Sequence, residues 1–161
     1  MEKVLVSACL LGRRVRYDGG AKSLASDILT RWQSEGRVVS VCPEVEAGLP
    51  TPRAAAEIIG GDGAGVLSDS ARVVDSQGEH LSEAFVRGAY LALQRCRQHG
   101  IKVAVLTEHS PSCGSTDIYD GSFSGNRRPG VGVTTALLRQ EGVRVYGQHD
   151  IAEADRILRA L

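Results

Sequence analysis

The sequence predicts an α/β domain, a three-layer sandwich with helices on both faces of a mainly parallel sheet. Two observations carry this. Short valine-rich apolar runs recur at 3–8, 37–41, 101–106 and 143–146, each flanked by glycine or charged residues, as expected of strands buried on both faces. Between them lie segments with helical apolar spacing, at 23–35, 81–99, 132–140 and 151–160. Strands and helices that alternate in this way fold through right-handed βαβ crossovers.

The first run, Val4-Leu5-Val6-Ser7-Ala8-Cys9, ends in a cysteine and is followed by Arg13-Arg14-Val15-Arg16 and the turn Tyr17-Asp18-Gly19. A helix follows around Leu24, Ile28, Leu29 and Trp32. The second run empties into Cys42-Pro43-Glu44. The stretch 54–80 carries Gly60-Gly61-Asp62-Gly63-Ala64-Gly65, short apolar pieces at 66–67 and 73–74, and the turn signal Asp75-Ser76-Gln77-Gly78. It reads as a loop and hairpin-like excursion, and its glycines match no nucleotide-binding loop. In the helix over 81–99, Leu81, Phe85, Ala89, Leu93 and Cys96 share one apolar face, which makes Cys96 a core thiol. The third run enters the serine- and glycine-rich segment 109–125, which holds Cys113 and a second Tyr-Asp-Gly turn. Gly19 and Gly121 supply positive φ to the two turns. Gly130-Val131-Gly132 then allows tight entry into the helix over 132–140, ahead of the last strand and the C-terminal helix.

At 161 residues the chain reads as a single domain, 1–161, able to bury its core without disulfides. Lysine plus arginine equals aspartate plus glutamate, 19 each, so there is no overall basic field for nucleic acid. One tryptophan, two phenylalanines and four tyrosines are too few for a single-strand stacking platform. No signal peptide and no membrane-spanning apolar stretch is visible, so a cytoplasmic location without membrane partners is expected. Four cysteines in a reducing compartment then point to buried, metal-binding or reactive thiols. The oligomeric state is not legible.

Cys9, Cys42 and Cys113 each fall at or just beyond a predicted strand end, and in a parallel sheet those ends share one edge where ligands bind. Each alone reads as an inert thiol; three together suggest a metal site. Three thiolates suit a [4Fe–4S] cluster with one iron left open as a Lewis acid. A zinc site of Cys9, Cys42, Cys113 and His109 is the rival. Glu44, two residues beyond Cys42, is placed to act as general acid or base, or else to pair with Arg53. Ser110 and Ser112 precede Cys113, where turn or capping roles are the default reading ahead of substrate contact.

The segments at 7–12 and 16–20 (SACLLG, RYDGG), 41–53 (VCPEVEAGLPTPR), 110–125 (SPSCGSTDIYDGSFSG) and 130–138 (GVGVTTALL) resemble the thiouracil desulfidase family. The resemblance spans nearly the whole chain. It implies a Rossmann-like fold and a [4Fe–4S] cluster on Cys9, Cys42 and Cys113, with Glu44 as acid/base residue and Ser110 as the assisting serine; beside it Ser112 is a candidate substrate contact. The implied reaction is non-redox, hydrolytic C–S cleavage of a small thiolated nucleobase with release of sulfide. The chain departs from the family pattern in having Glu108-His109 where a basic residue precedes the serine, and Ala54-Ala55-Ala56 in place of a proline-rich run; these bear on substrate range. Two other readings stand beside it: a metal- or redox-sensing module with a cluster or zinc and no catalysis, and a structural domain with buried thiols.

Overall fold

Val4, Leu5, Val6 and Ser7 are all buried, because the strand they form has a neighbour on each side and a helical layer on each face. In the computed structural model, which describes residues 1–161, the strands in chain order are β1 (Val4–Ser7), β2 (Val38–Val41), β3 (Ala56–Ile59), β4 (Arg72–Asp75), β5 (Val103–Leu106), β6 (Asp117–Tyr119), β7 (Arg127–Pro129) and β8 (Arg144–Gly147). The helices are α1 (Asp27–Ser34), α2 (Pro43–Glu46), α3 (Gly63–Leu67), α4 (Ser82–His99), α5 (Val133–Gln140) and α6 (Ile151–Arg159). The main sheet has the order β2-β1-β5-β8 and is parallel throughout.

Side chains alternate across a strand, so β1 and β5 feed two cores. Leu5, Ala104 and Leu106 face Phe85, Ala89 and Leu138 of α4 and α5. Val4, Val6, Val103 and Val105 face Leu29 and Trp32 of α1 and Ala154 and Leu158 of α6. This is the expected three-layer sandwich. Trp32 is fully buried, and its indole N–H donates to Asp155 Oδ1 at 3.1 Å, so the aromatic body packs while its one polar atom is satisfied. Arg31 pairs with the same carboxylate and ties α1 to α6.

The four expected strands and four expected helices are present with small shifts in their ends. The first helix is the shortest against expectation, because Ser26 accepts the Leu29 N–H at 3.3 Å and caps α1 there. The excursion over 54–80 contains the hairpin β3-β4, paired antiparallel, but residues 66–67 belong to α3 and not to the hairpin. Asp62 starts that helix by accepting the Ala64 N–H at 3.2 Å. The short helix α2 and the ribbon β6-β7 are additions that no apolar periodicity announces. Cys96 lies in the α4 core, where burial pushes its thiol up to about 11.

Candidate active site

β1 sits between β2 and β5, and the chain leaves it toward opposite edges of the sheet. Such a switch point leaves a crevice at the strand C-termini. Cys9 follows β1 within a 3-10 turn over Ala8–Leu11, Cys42 directly follows β2, and Cys113 lies in the loop after β5. Three adjacent strands thus deliver three thiols to one cavity of about 500 Å³.

Close packing fixes the placement of Cys42 and Cys113. Cys42 is held by Glu46, which accepts the Cys42 N–H at 3.0 Å and pairs with Arg95 of α4. The Pro43 carbonyl presses on Gly88 of α4, where a Cβ would stand 2.4 Å from its oxygen, so glycine there lets α2 seat. Around Cys113, the N-terminus of α5 receives the loop: Val133 N–H donates to Pro111 O and Thr134 N–H to Ser112 O, both at 2.8 Å, and Thr135 Oγ1 donates to Cys113 O at 2.9 Å. The donors of this helix end are therefore spent on the loop, the tight-entry role expected of Gly130-Val131-Gly132. Gly19 and Gly121 have φ of +78° and +91°, as the two Tyr-Asp-Gly turns require.

Burial pushes the thiols of Cys9, Cys42 and Cys113 above the ordinary cysteine range, and each of the latter two is raised further by the thiols beside it. Cys9 is opposed by Thr107, Arg16 and Lys22, which favour its thiolate. Thr107 Oγ1 is the one buried side-chain polar atom with no hydrogen-bond partner. An unspent hydroxyl beside a thiol is a cost unless a sulfur acceptor arrives. Three converging thiols, all raised by burial and two of them also by neighbouring thiols, together with that donor, fit a group that is itself cationic and carries sulfur.

The one set of three histidine, cysteine, aspartate or glutamate side chains whose ligand atoms all lie within 4.8 Å of one another is Glu108, His109 and Asp117. At least one pair among the three sulfurs therefore stands more than 4.8 Å apart, wider than the roughly 3.8 Å that two thiolates span on one tetrahedral zinc with bonds near 2.3 Å. His109 does not join them. Its Nδ1 lies 3.1 Å from Arg127 Nη1 and 3.4 Å from Asp117 Oδ1.

Glu44 pairs with Arg53. Arg53 Nε donates to Glu44 Oε2 at 3.1 Å and Nη2 makes a second contact to the same oxygen, while Nη1 holds Pro50 O and Thr51 Oγ1 at 3.0 and 3.1 Å. Glu44 Oε1 is left without a protein partner. Ser110 Oγ accepts the Cys113 N–H at 2.7 Å, a turn-forming bond that leaves its own proton to give. Ser112 is buried, and its hydroxyl shares a 2.9 Å hydrogen bond with Thr134 Oγ1 and favours the Cys113 thiolate. Both serines line the cavity.

Residues 4–150 match the family model described as 2-thiouracil desulfurase. The chain belongs to the 2-thiouracil desulfurase family. Its fold and extent agree with a solved structure of the [4Fe-4S]-dependent thiouracil desulfidase TudS, with a TM-score of 0.91, 45% identity and complete coverage of both chains. It is also 42% identical over 148 residues to the YbbK protein of Bacillus subtilis (strain 168), spanning 92% of this chain and 97% of that protein.

Two features of this desulfurase-family site escaped the sequence reading. Glu108, noted only as a departure from the family pattern, is a buried strut: its Oε1 accepts from the N–H groups of Ser115 and Thr116 at 2.7 and 2.9 Å, and Oε2 from the Ser115 hydroxyl at 2.7 Å. Burial pushes its carboxyl up, but these hydrogen bonds outweigh it and hold the pKa below the usual carboxylate range. Thr107 was the other, since nothing in a lone threonine marks it as facing a thiol 98 residues away in sequence. A hydroxyl residue directly after a strand that leads to a cysteine loop was the available signal.

Proposed function

We propose that this chain is an iron–sulfur-dependent desulfidase that removes sulfur from a small thiolated nucleobase of the thiouracil type by hydrolysis. The observation that carries it is the meeting of Cys9, Cys42 and Cys113, from three adjacent strand ends, in one cavity that also contains the partly free carboxylate Glu44. A [4Fe–4S] cluster on those thiolates supplies, when bound, a Lewis-acidic iron suited to a soft thiocarbonyl sulfur.

The chain supplies the rest. Glu44 Oε1 takes a proton from the water that attacks the ring carbon, while Arg53 holds Oε2 and fixes the carboxylate in place. Ser110, anchored on the Cys113 N–H, donates its hydroxyl proton to the substrate edge or relays it from Glu44. Ser112, bonded to Thr134, supports the Cys113 ligand and borders the substrate space. The apolar walls at buried Phe85 and partly buried Leu81 limit bulk water. One water is consumed, a C–S bond is replaced by C–O, sulfide leaves, and no electrons are transferred overall.

The equal numbers of basic and acidic residues fit a free small molecule better than a nucleic-acid strand. No helix is long and apolar enough to cross a membrane, and a cytoplasmic location suits an oxygen-sensitive cluster. The test is an anaerobic assay with 2-thiouracil in ¹⁸O-labelled water and no electron donor or acceptor. Equal amounts of sulfide and of uracil carrying one labelled oxygen are expected; a requirement for a redox partner, or unlabelled uracil, would contradict hydrolysis.

A further inference from the structure

Besides its first and last residues, the protein leaves four large apolar or aromatic side chains exposed, and three of them, Tyr17, Tyr119 and Phe123, line the active-site cavity. A chain with so few aromatics has gathered them at one mouth. Phe123 is the most deliberately placed. It lies in the loop joining β6 to β7 with φ of +56°, a conformation that aromatic residues rarely adopt and that persists only where surroundings impose it.

Those surroundings are visible. Glu57, on β3 and buried, turns its Oε1 to accept the N–H groups of Gly121 at 2.9 Å and Phe123 at 3.2 Å. Gly121 seats against β3 so closely that a Cβ would stand 2.7 Å from Ile58 O. A buried carboxylate thus clamps the loop and holds the ring beside the cavity, 38% exposed. Tyr119 is already engaged edge-on by His109, with ring centroids 6.5 Å apart. Phe123 is paired with no other ring.

Resting on the reading of the substrate as a thiolated nucleobase, we propose that Phe123, clamped by Glu57, is the wall on which the substrate ring stacks, and that it selects flat rings over puckered ones. Planar π systems stack on an aromatic face, and a saturated ring of the same polar groups does not. Leucine keeps the apolar bulk and removes the face. Tyrosine keeps both.

The experiment titrates the cluster-loaded full-length protein anaerobically with 2-thiouracil, uracil and dihydrouracil. In Phe123→Leu, 2-thiouracil binding weakens by roughly 5- to 150-fold, the preference for uracil over dihydrouracil collapses, and the loss in turnover falls on KM more than on kcat. Phe123→Tyr restores the preference. Glu57→Ala reproduces part of the loss and adds little to Phe123→Leu, because both act through one ring. Affinity within about twofold of wild type in Phe123→Leu, equal affinity of wild type for uracil and dihydrouracil, or no binding of any of the three overturns the proposal. Sulfide release separates it from the reading it rests on. A wild type that shows the Phe123-dependent ring preference but frees no sulfide from 2-thiouracil refutes the desulfidase and leaves the stacking wall standing.

Discussion

Glu44 and Arg53 form an ion pair inside the cavity that the three thiols share, with side chains only 14% and 8% exposed. Arg53 is itself anchored by the carbonyls of Val15 and Pro50 and by Thr51. The pairing and the catalytic reading of Glu44 are therefore compatible: a fork of fixed donors engages one oxygen and aims the other.

Glu44→Gln keeps the shape of the side chain and removes its proton exchange. Turnover of 2-thiouracil is expected to fall by about 10² to 10⁴ while iron content stays at the wild-type level. Arg53→Lys retains charge but loses the fork, so its activity should lie between the two. Normal turnover in Glu44→Gln with iron retained moves the base to another group.

Thr107→Val removes the unspent hydroxyl beside Cys9 with almost no change in volume. Hydrogen bonds to ligand sulfurs stabilise added negative charge and raise cluster potentials. The potential of the cluster in Thr107→Val should shift to more negative values in a redox titration followed by electron paramagnetic resonance, and Thr107→Ser should return it toward wild type. An unchanged potential in Thr107→Val rules out the bond.

Glu108 holds the loop that carries Cys113, through Ser115 and Thr116. Because its folded pKa lies below the ordinary carboxylate value, its stabilisation is complete above the unfolded value near 4.3 and is lost as pH falls through the folded one. Glu108→Gln should cost about 1–3 kcal/mol at pH 7. In urea unfolding that gap should narrow as pH falls below the unfolded value and close once it passes the folded one; a gap that does not narrow in acid means the carboxylate charge is not what holds the loop.

Much of this site was legible before the fold. Cys9, Cys42 and Cys113 could be grouped because a parallel sheet brings its strand ends to one edge, and the valine runs gave the strands. Cys96 could be set aside because its spacing with Leu81, Phe85 and Ala89 marks a helix face. The pairing of Glu44 with Arg53 was one of two readings and became definite only when the turn over 50–53 was seen. The short helix α2, the ribbon β6-β7 and the Glu57 clamp on Phe123 were not legible. Each is held by contacts between distant segments, Pro43 on Gly88 or Glu57 on Gly121, and leaves no periodic trace.

The sharpest test of the account is iron and acid-labile sulfide analysis of the anaerobically reconstituted protein beside its single cysteine variants. Wild type should hold about four iron and four sulfide per chain. Cys9→Ala, Cys42→Ala and Cys113→Ala should each lose most of that iron, while Cys96→Ala loses on the order of 1 kcal/mol of stability and keeps its iron. An iron-free wild type that carries zinc, or a Cys96→Ala protein emptied of iron while Cys113→Ala stays loaded, would contradict the three-cysteine cluster on which the proposed desulfuration depends.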